Sequence, residues 1–159
     1  MAETNRVDEA IALTKEQEYL RALTIFLDVY GDDNPPLPML SSKLTTGLSY
    51  FGLCLVLVQK KVKPAIDLCK RAIALEFFNV DHYANLARVY TAAGNRKKAL
   101  ETVAQGLKDR PEDETLLRVR HELGIRARPP VPFLDRSNPL NVTLGQSRHA
   151  KKLAKKEKG

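Results

Sequence analysis

The chain has 159 residues, 43% of them hydrophobic, which is enough for one domain with an ordinary core. It contains no uncharged apolar run of the roughly 18 residues that a membrane span needs, and its start, Met1-Ala2-Glu3-Thr4-Asn5, lacks a signal pattern, so the expected compartment is the cytoplasm. The net charge of +7 is uneven: residues 1–125 hold 17 Lys and Arg against 17 Asp and Glu, and the whole excess lies in residues 126–159, so the body is not a general nucleic-acid binder.

In chain order, a first and degenerate helical pair is marked by Ala10, Leu13, Tyr19, Ala22, Phe26 and Tyr30, closed by Pro35. After the turn Pro35-Pro36-Leu37-Pro38, the residues Leu40, Leu44, Leu48, Phe51 and Leu55 keep one face apolar, which predicts an extended helix over 38–59. A second helix follows, carrying Ala65, Leu68, Cys69 and Ala72. In the third pair, Tyr83, Leu86, Ala87 and Tyr90 recur at the three- and four-residue steps of one helical face. Gly94-Asn95 is expected to stop that helix. Ala99, Val103 and Gly106 line its partner, small enough for close approach, and Pro111 lies just beyond.

Stepping back 34 residues from Ala99 reaches Ala65, and the segments around them align. Leu48, Phe51, Gly52 and Leu55 fit the same pattern as Tyr83, Leu86, Ala87 and Tyr90 if the turn at residues 60–63 is one residue longer. Residues 112–124 begin with acids and end at glycine, as a closing helix would, with Leu116, Leu117, Val119 and Leu123 inward and Arg118, Arg120 and Glu122 toward water.

The pattern resembles the tetratricopeptide repeat, a helix-turn-helix unit of about 34 residues, in the form seen in small bacterial-type proteins with three repeats. Val103 replaces the usual aromatic. The resemblance implies an all-α, right-handed superhelix over residues 1–125: repeats at about 5–36, 37–78 and 80–111, and a capping helix at 112–124. It also implies a concave face, built from the first helix of each repeat, that holds an extended peptide or a helix. From the first repeat that face would take Val7, Ile11 and Thr14. From the second it would take Ser49, Leu53 and Val56, and from the third Asp81, Ala84, Asn85, Arg88 and Thr91. Some members bind terminal carboxylates of chaperones through lysines and asparagines. Only Asn85 and Arg88 are of that kind here, so an apolar or mixed peptide is expected instead.

Residues 126–145 carry four prolines, at 129, 130, 132 and 139, which forbid regular helix and favour an extended path. Yet Val131, Phe133 and Leu134 are too apolar for a free linker, so this segment is expected to dock on the body or a partner. Residues 146–159 read as a basic, disordered tail able to contact an acidic protein, nucleic acid or an anionic membrane surface.

Cys54 and Cys69 match no zinc or redox spacing and are expected to be free, small buried hydrophobes. His82, His121 and His149 are dispersed, with no partner at ligand or triad spacing, and are assigned to surface or helix-end roles. Gly47, Gly52 and Gly94 do not compose a phosphate loop. No catalytic residue, cofactor or metal site is therefore expected. The leading function is a scaffold or adaptor for protein segments. The alternatives are a chaperone for secreted translocator-type proteins, and a nucleic-acid or ribosome-associated factor acting through the tail.

Overall fold

A computed structural model of the chain describes residues 2–31 and 41–124, together with Thr143. The proline turn at 35–38, the tail at 146–159 and the segment 126–145 with its docking residues Val131, Phe133 and Leu134 lie outside the described residues, apart from Thr143.

The described residues form seven α-helices and no strand: α1 (Ala2–Lys15), α2 (Tyr19–Tyr30), α3 (Ser42–Cys54), α4 (Val62–Leu75), α5 (Val80–Ala92), α6 (Arg96–Asp109) and α7 (Glu114–Leu123). A π-helical turn, Leu55–Gln59, continues α3. The fold is thus all-α, in three helical hairpins followed by a single helix. Successive odd-numbered helices pack side by side, α1 on α3, α3 on α5 and α5 on α7, while each even-numbered helix packs on the odd ones that flank it. Among the described residues the even-numbered helices do not pack on one another, so every hairpin depends on its neighbours for its core.

The turns explain this regularity. Each hairpin reverses through one residue in the left-handed region, Gln17, Lys60 and Gly94, with φ of 67°, 59° and 75°. The second and third of these turns are 34 residues apart, and so are the helices that follow, α4 (Val62–Leu75) and α6 (Arg96–Asp109). Both helices end alike, at Glu76 (φ −136°, ψ 71°) and Arg110 (φ −137°, ψ 73°). Side chains cap the helices beyond: Asn79 Oδ1 accepts from the Asp81 N–H at 3.1 Å, and Asp113 Oδ1 from the Leu116 N–H at 3.0 Å.

Two expectations are corrected. The third helix begins at Ser42, not at residue 38, because Ser41 is in an extended conformation and its hydroxyl accepts from the Leu44 N–H. The extra residue of the second hairpin does not lengthen the turn at 60–63. Lys60 and Lys61 already stand 34 residues before Gly94 and Asn95, so the extra residue lies upstream, inside the π-helical turn Leu55–Gln59. A π turn widens a helix by one residue without breaking it, which keeps both flanking contacts in place.

Small residues recur at matching positions of the hairpins. Ala10 and Ala22, Gly52 and Ala65, and Ala87 and Ala99 occupy matching places in the three hairpins, and every alanine of the set is fully buried. A Cβ on Gly52 would lie 2.7 Å from the Ala65 carbonyl oxygen, so α3 and α4 touch there backbone to backbone. Between the crossings, Phe26, Tyr30 and Phe51 form a run of rings with centroids 5.6 to 6.1 Å apart, linking α2 to α3. Fully burying side chains such as Phe51 or Leu48 contributes on the order of 2 kcal/mol each.

Arg96 fastens the last helix. Its Nε and Nη2 donate to the Leu123 carbonyl at 3.0 and 2.8 Å, and Nη2 also reaches the Gly124 carbonyl, so the start of α6 caps the end of α7.

Candidate functional site

A groove of about 690 Å³ runs across the odd-numbered helices. Thr14 and Lys15 at the end of α1 line it, with Gln17 and Tyr19 beside them. Tyr50 and Leu53 come from α3, and Asp81, Asn85 and Arg88 from α5. Thr115, Arg118 and Glu122 of α7 close the far side. A smaller compartment of about 300 Å³ shares Tyr19, Leu53, Arg88 and Glu122 with it and adds mainly apolar surface, from Leu57, Ala92, Val119 and Leu123.

Of the residues assigned to a binding face from the sequence, Thr14, Leu53, Asp81, Asn85 and Arg88 come together in the larger compartment, and Thr91 lines the smaller one. Val7, Ser49, Val56 and Ala84 line neither compartment and are buried in the core. Ile11 is half-buried against the core and lines neither compartment.

Lys15, Tyr19, Tyr50 and the three residues of α7 are additions. The signal for α7 was present in the sequence. Adding 34 to Asp81, Ala84 and Arg88 gives Thr115, Arg118 and Glu122, so α7 repeats the position of a groove-lining helix as well as closing the helix row. Tyr50 is found the same way, 35 residues before Asn85.

Electrostatics set the character of the groove. The Tyr50 hydroxyl donates to Asp81 Oδ2 at 2.9 Å, and burial, reinforced by that carboxylate, pushes its phenol far above the ordinary value. Lys15 Nζ stands 5.8 Å from the centre of the Tyr50 ring. Arg88 Nε lies 3.7 Å from Glu122 Oε2, a half-exposed pair that bridges α5 and α7.

Beneath the groove floor is a buried polar cluster. Asn85 Nδ2 donates to Ser49 Oγ at 3.1 Å, and Ser49 Oγ lies 3.0 Å from His82 Nδ1. His82 Nε2 lies 3.3 Å from Glu76 Oε2, which also accepts from Asn79 Nδ2 at 3.2 Å. His82 thus sits at a helix end, in the first turn of α5, and is fully buried there, not at the surface. Burial pushes its imidazole below the ordinary value, against the opposing pull of Glu76 and Asp81. Burial acts to raise the Glu76 carboxyl, but hydrogen bonds from Ser42, Asn79 and His82 outweigh it and hold the group below its usual range.

The order carboxylate, imidazole, hydroxyl is that of a hydrolytic triad. Ser49 Oγ is nevertheless inaccessible: the residue is 0% exposed, bonds back to the Thr46 carbonyl at 3.1 Å and accepts from Asn85. The cluster holds α3, α5 and the α4–α5 turn in one register and fixes Asn85 beneath the groove.

Cys54 and Cys69 are free and buried, as expected. Thr14 Oγ1 lies 3.4 Å from Cys54 Sγ, and burial pushes that thiol up to about 11. No His, Cys, Asp and Glu cluster suited to a metal ion occurs among the described residues, and no helix among them is long and apolar enough to cross a membrane. No family model and no curated protein matches the chain.

Proposed function

We propose that the chain is a tetratricopeptide-like scaffold, a right-handed superhelix that binds a segment of another protein in the groove across α1, α3, α5 and α7. One observation carries this reading. The equivalent row of each odd-numbered helix from α3 to α7, represented by Leu53, Arg88 and Glu122, opens onto one continuous groove. The 34-residue register of the turns and caps supports the same family reading. A volume of about 690 Å³ suits several side chains of a bound segment. The lining joins apolar contact at Leu53 with the charged group of Arg88. The buried arrangement of Ser49 favours binding over catalysis at this site.

Affinity capture from native cells tests the reading. The full chain is compared with Thr91→Glu, which puts a charge at the exposed mouth of the apolar compartment, and with Lys70→Glu on the exposed side of α4. Partners retained by the wild type and Lys70→Glu but lost with Thr91→Glu bind in the groove. Partners held equally by the wild type and both variants would sink this reading.

A further inference from the structure

Resting on that reading, we infer that the groove selects an acidic-apolar segment: a peptide that places a carboxylate side chain between Lys15 and Arg118 and an aliphatic or aromatic side chain in the adjoining apolar compartment. The charge inventory of the lining leads there. Lys15, Arg88 and Arg118 face Asp81 and Glu122 across the larger compartment. Both anions are engaged, Asp81 by the Tyr50 hydroxyl at 2.9 Å and Glu122 by Arg88 at 3.7 Å. Lys15 and Arg118 are exposed and have no carboxylate partner among the described residues; Lys15 has only the Tyr50 ring. One comes from α1 and the other from α7, the two ends of the helix row, yet both line the same compartment. A guest carboxylate placed there meets two uncommitted cations, and charge-assisted hydrogen bonds to them are the strong kind.

The neighbouring compartment sets the second requirement. Leu53, Leu57, Val119 and Leu123 line it, and it shares Leu53 and Arg88 with the charged one. One short segment can therefore fill both. A nucleic-acid strand fits less well, because its phosphates would meet Asp81 and Glu122 in the same groove and its bases would find aliphatic walls.

A displayed library of short random peptides, selected on the full chain, tests the inference. Peptides enriched on the wild type should pair Asp or Glu with Leu, Ile or Phe, and Thr91→Glu should lose them while circular dichroism shows an intact fold. Lys15→Glu/Arg118→Glu should keep the apolar preference and drop the acidic one, and the best acidic peptide should bind it about tenfold more weakly in fluorescence anisotropy. Enrichment that depends on Thr91 but shows no acidic bias, or an acidic bias unchanged in the double variant, overturns the inference and leaves the scaffold reading standing. No enrichment, or enrichment indifferent to Thr91→Glu, removes the groove reading and this inference together. A dimer in light scattering that Thr91→Glu dissolves would make a second copy the occupant and would also overturn it.

Discussion

The second and third hairpins solve one packing problem in two ways. In the third, Ala87 and Ala99 hold the matching places, both fully buried, on two regular helices, α5 and α6. In the second, the matching pair is Gly52 and Ala65, and the first helix carries an additional residue taken up by the π-helical turn Leu55–Gln59. The difference teaches that crossing and turn are held more tightly than helix regularity. Gly52 cannot slide along α4 because its backbone already touches the Ala65 carbonyl, and Lys60 must stay in the left-handed turn, so the extra residue goes where the helix can widen. A related contrast lies between the wet and dry sides of α5. Asp81, Arg88 and Thr91 face the groove, while His82 and Leu86 are buried.

The most severe way to break the equivalence of the two crossings is Gly52→Ala. Its Cβ would sit 2.7 Å from backbone, which cannot move aside, so a loss of about 3 kcal/mol is expected in chemical denaturation. The reverse change in the third hairpin, Ala87→Gly, should cost only about 1 kcal/mol, chiefly through chain entropy. Equal costs would show that the backbone contact at Gly52 does not set the α3–α4 crossing apart. Ala99→Leu comes next, at about 1 to 3 kcal/mol from overpacking a fully buried site; an unchanged Tm would refute the close approach of α5 and α6.

The polar cluster beneath the groove gives a graded test. His82 has a depressed value in the folded state, so the unfolded chain takes up the proton first as pH falls. Stability from this group is complete above the ordinary histidine value of about 6.5 and declines below it. Glu76, also depressed, adds a loss in the same direction, beginning near the ordinary carboxylate range. The Tm should therefore drop from pH 7 to pH 5, and His82→Gln should flatten that slope while lowering the Tm at pH 7. A variant that retains the wild-type slope would remove His82 as its source.

Smaller effects sharpen the picture at the ends. Arg96→Ala removes the donors to the Leu123 and Gly124 carbonyls and should cost about 1 kcal/mol, with faster amide exchange confined to α7. Exchange that rises equally in α1 would mean the array opens as a whole. Least disruptive of all should be deletion of Val58, which turns the π-helical stretch into a regular helix like α5 and should change stability by no more than about 1 kcal/mol. Unfolding of this variant would show that the wide turn is itself required.

Much of this architecture was legible because it rests on spacing. Tyr83, Leu86, Ala87 and Tyr90 define a helical face by period alone, Gly94 marks a left-handed stop, and the 34-residue step from Ala65 to Ala99 makes the second pair recognisable. The groove was legible in part. Counting along a helix finds the correct turn but not the correct side chain within it, so Leu53, Asp81, Asn85 and Arg88 were reached while Ser49 and Ala84, one position away on the same helices, proved to be core. Neighbouring helices decide which position is covered.

The sequence by itself therefore determined the helices, their order and the small residues at which they cross, since these follow from period, turn chemistry and side-chain size. Only the tertiary structure decided where the inserted residue went, that His82 and Glu76 meet Ser49 in a buried cluster, and that Lys15 of α1 and Arg118 of α7 line one compartment. Each of those depends on contact between residues far apart in the chain, where the close packing of one helix against the next leaves a side chain a single place to go.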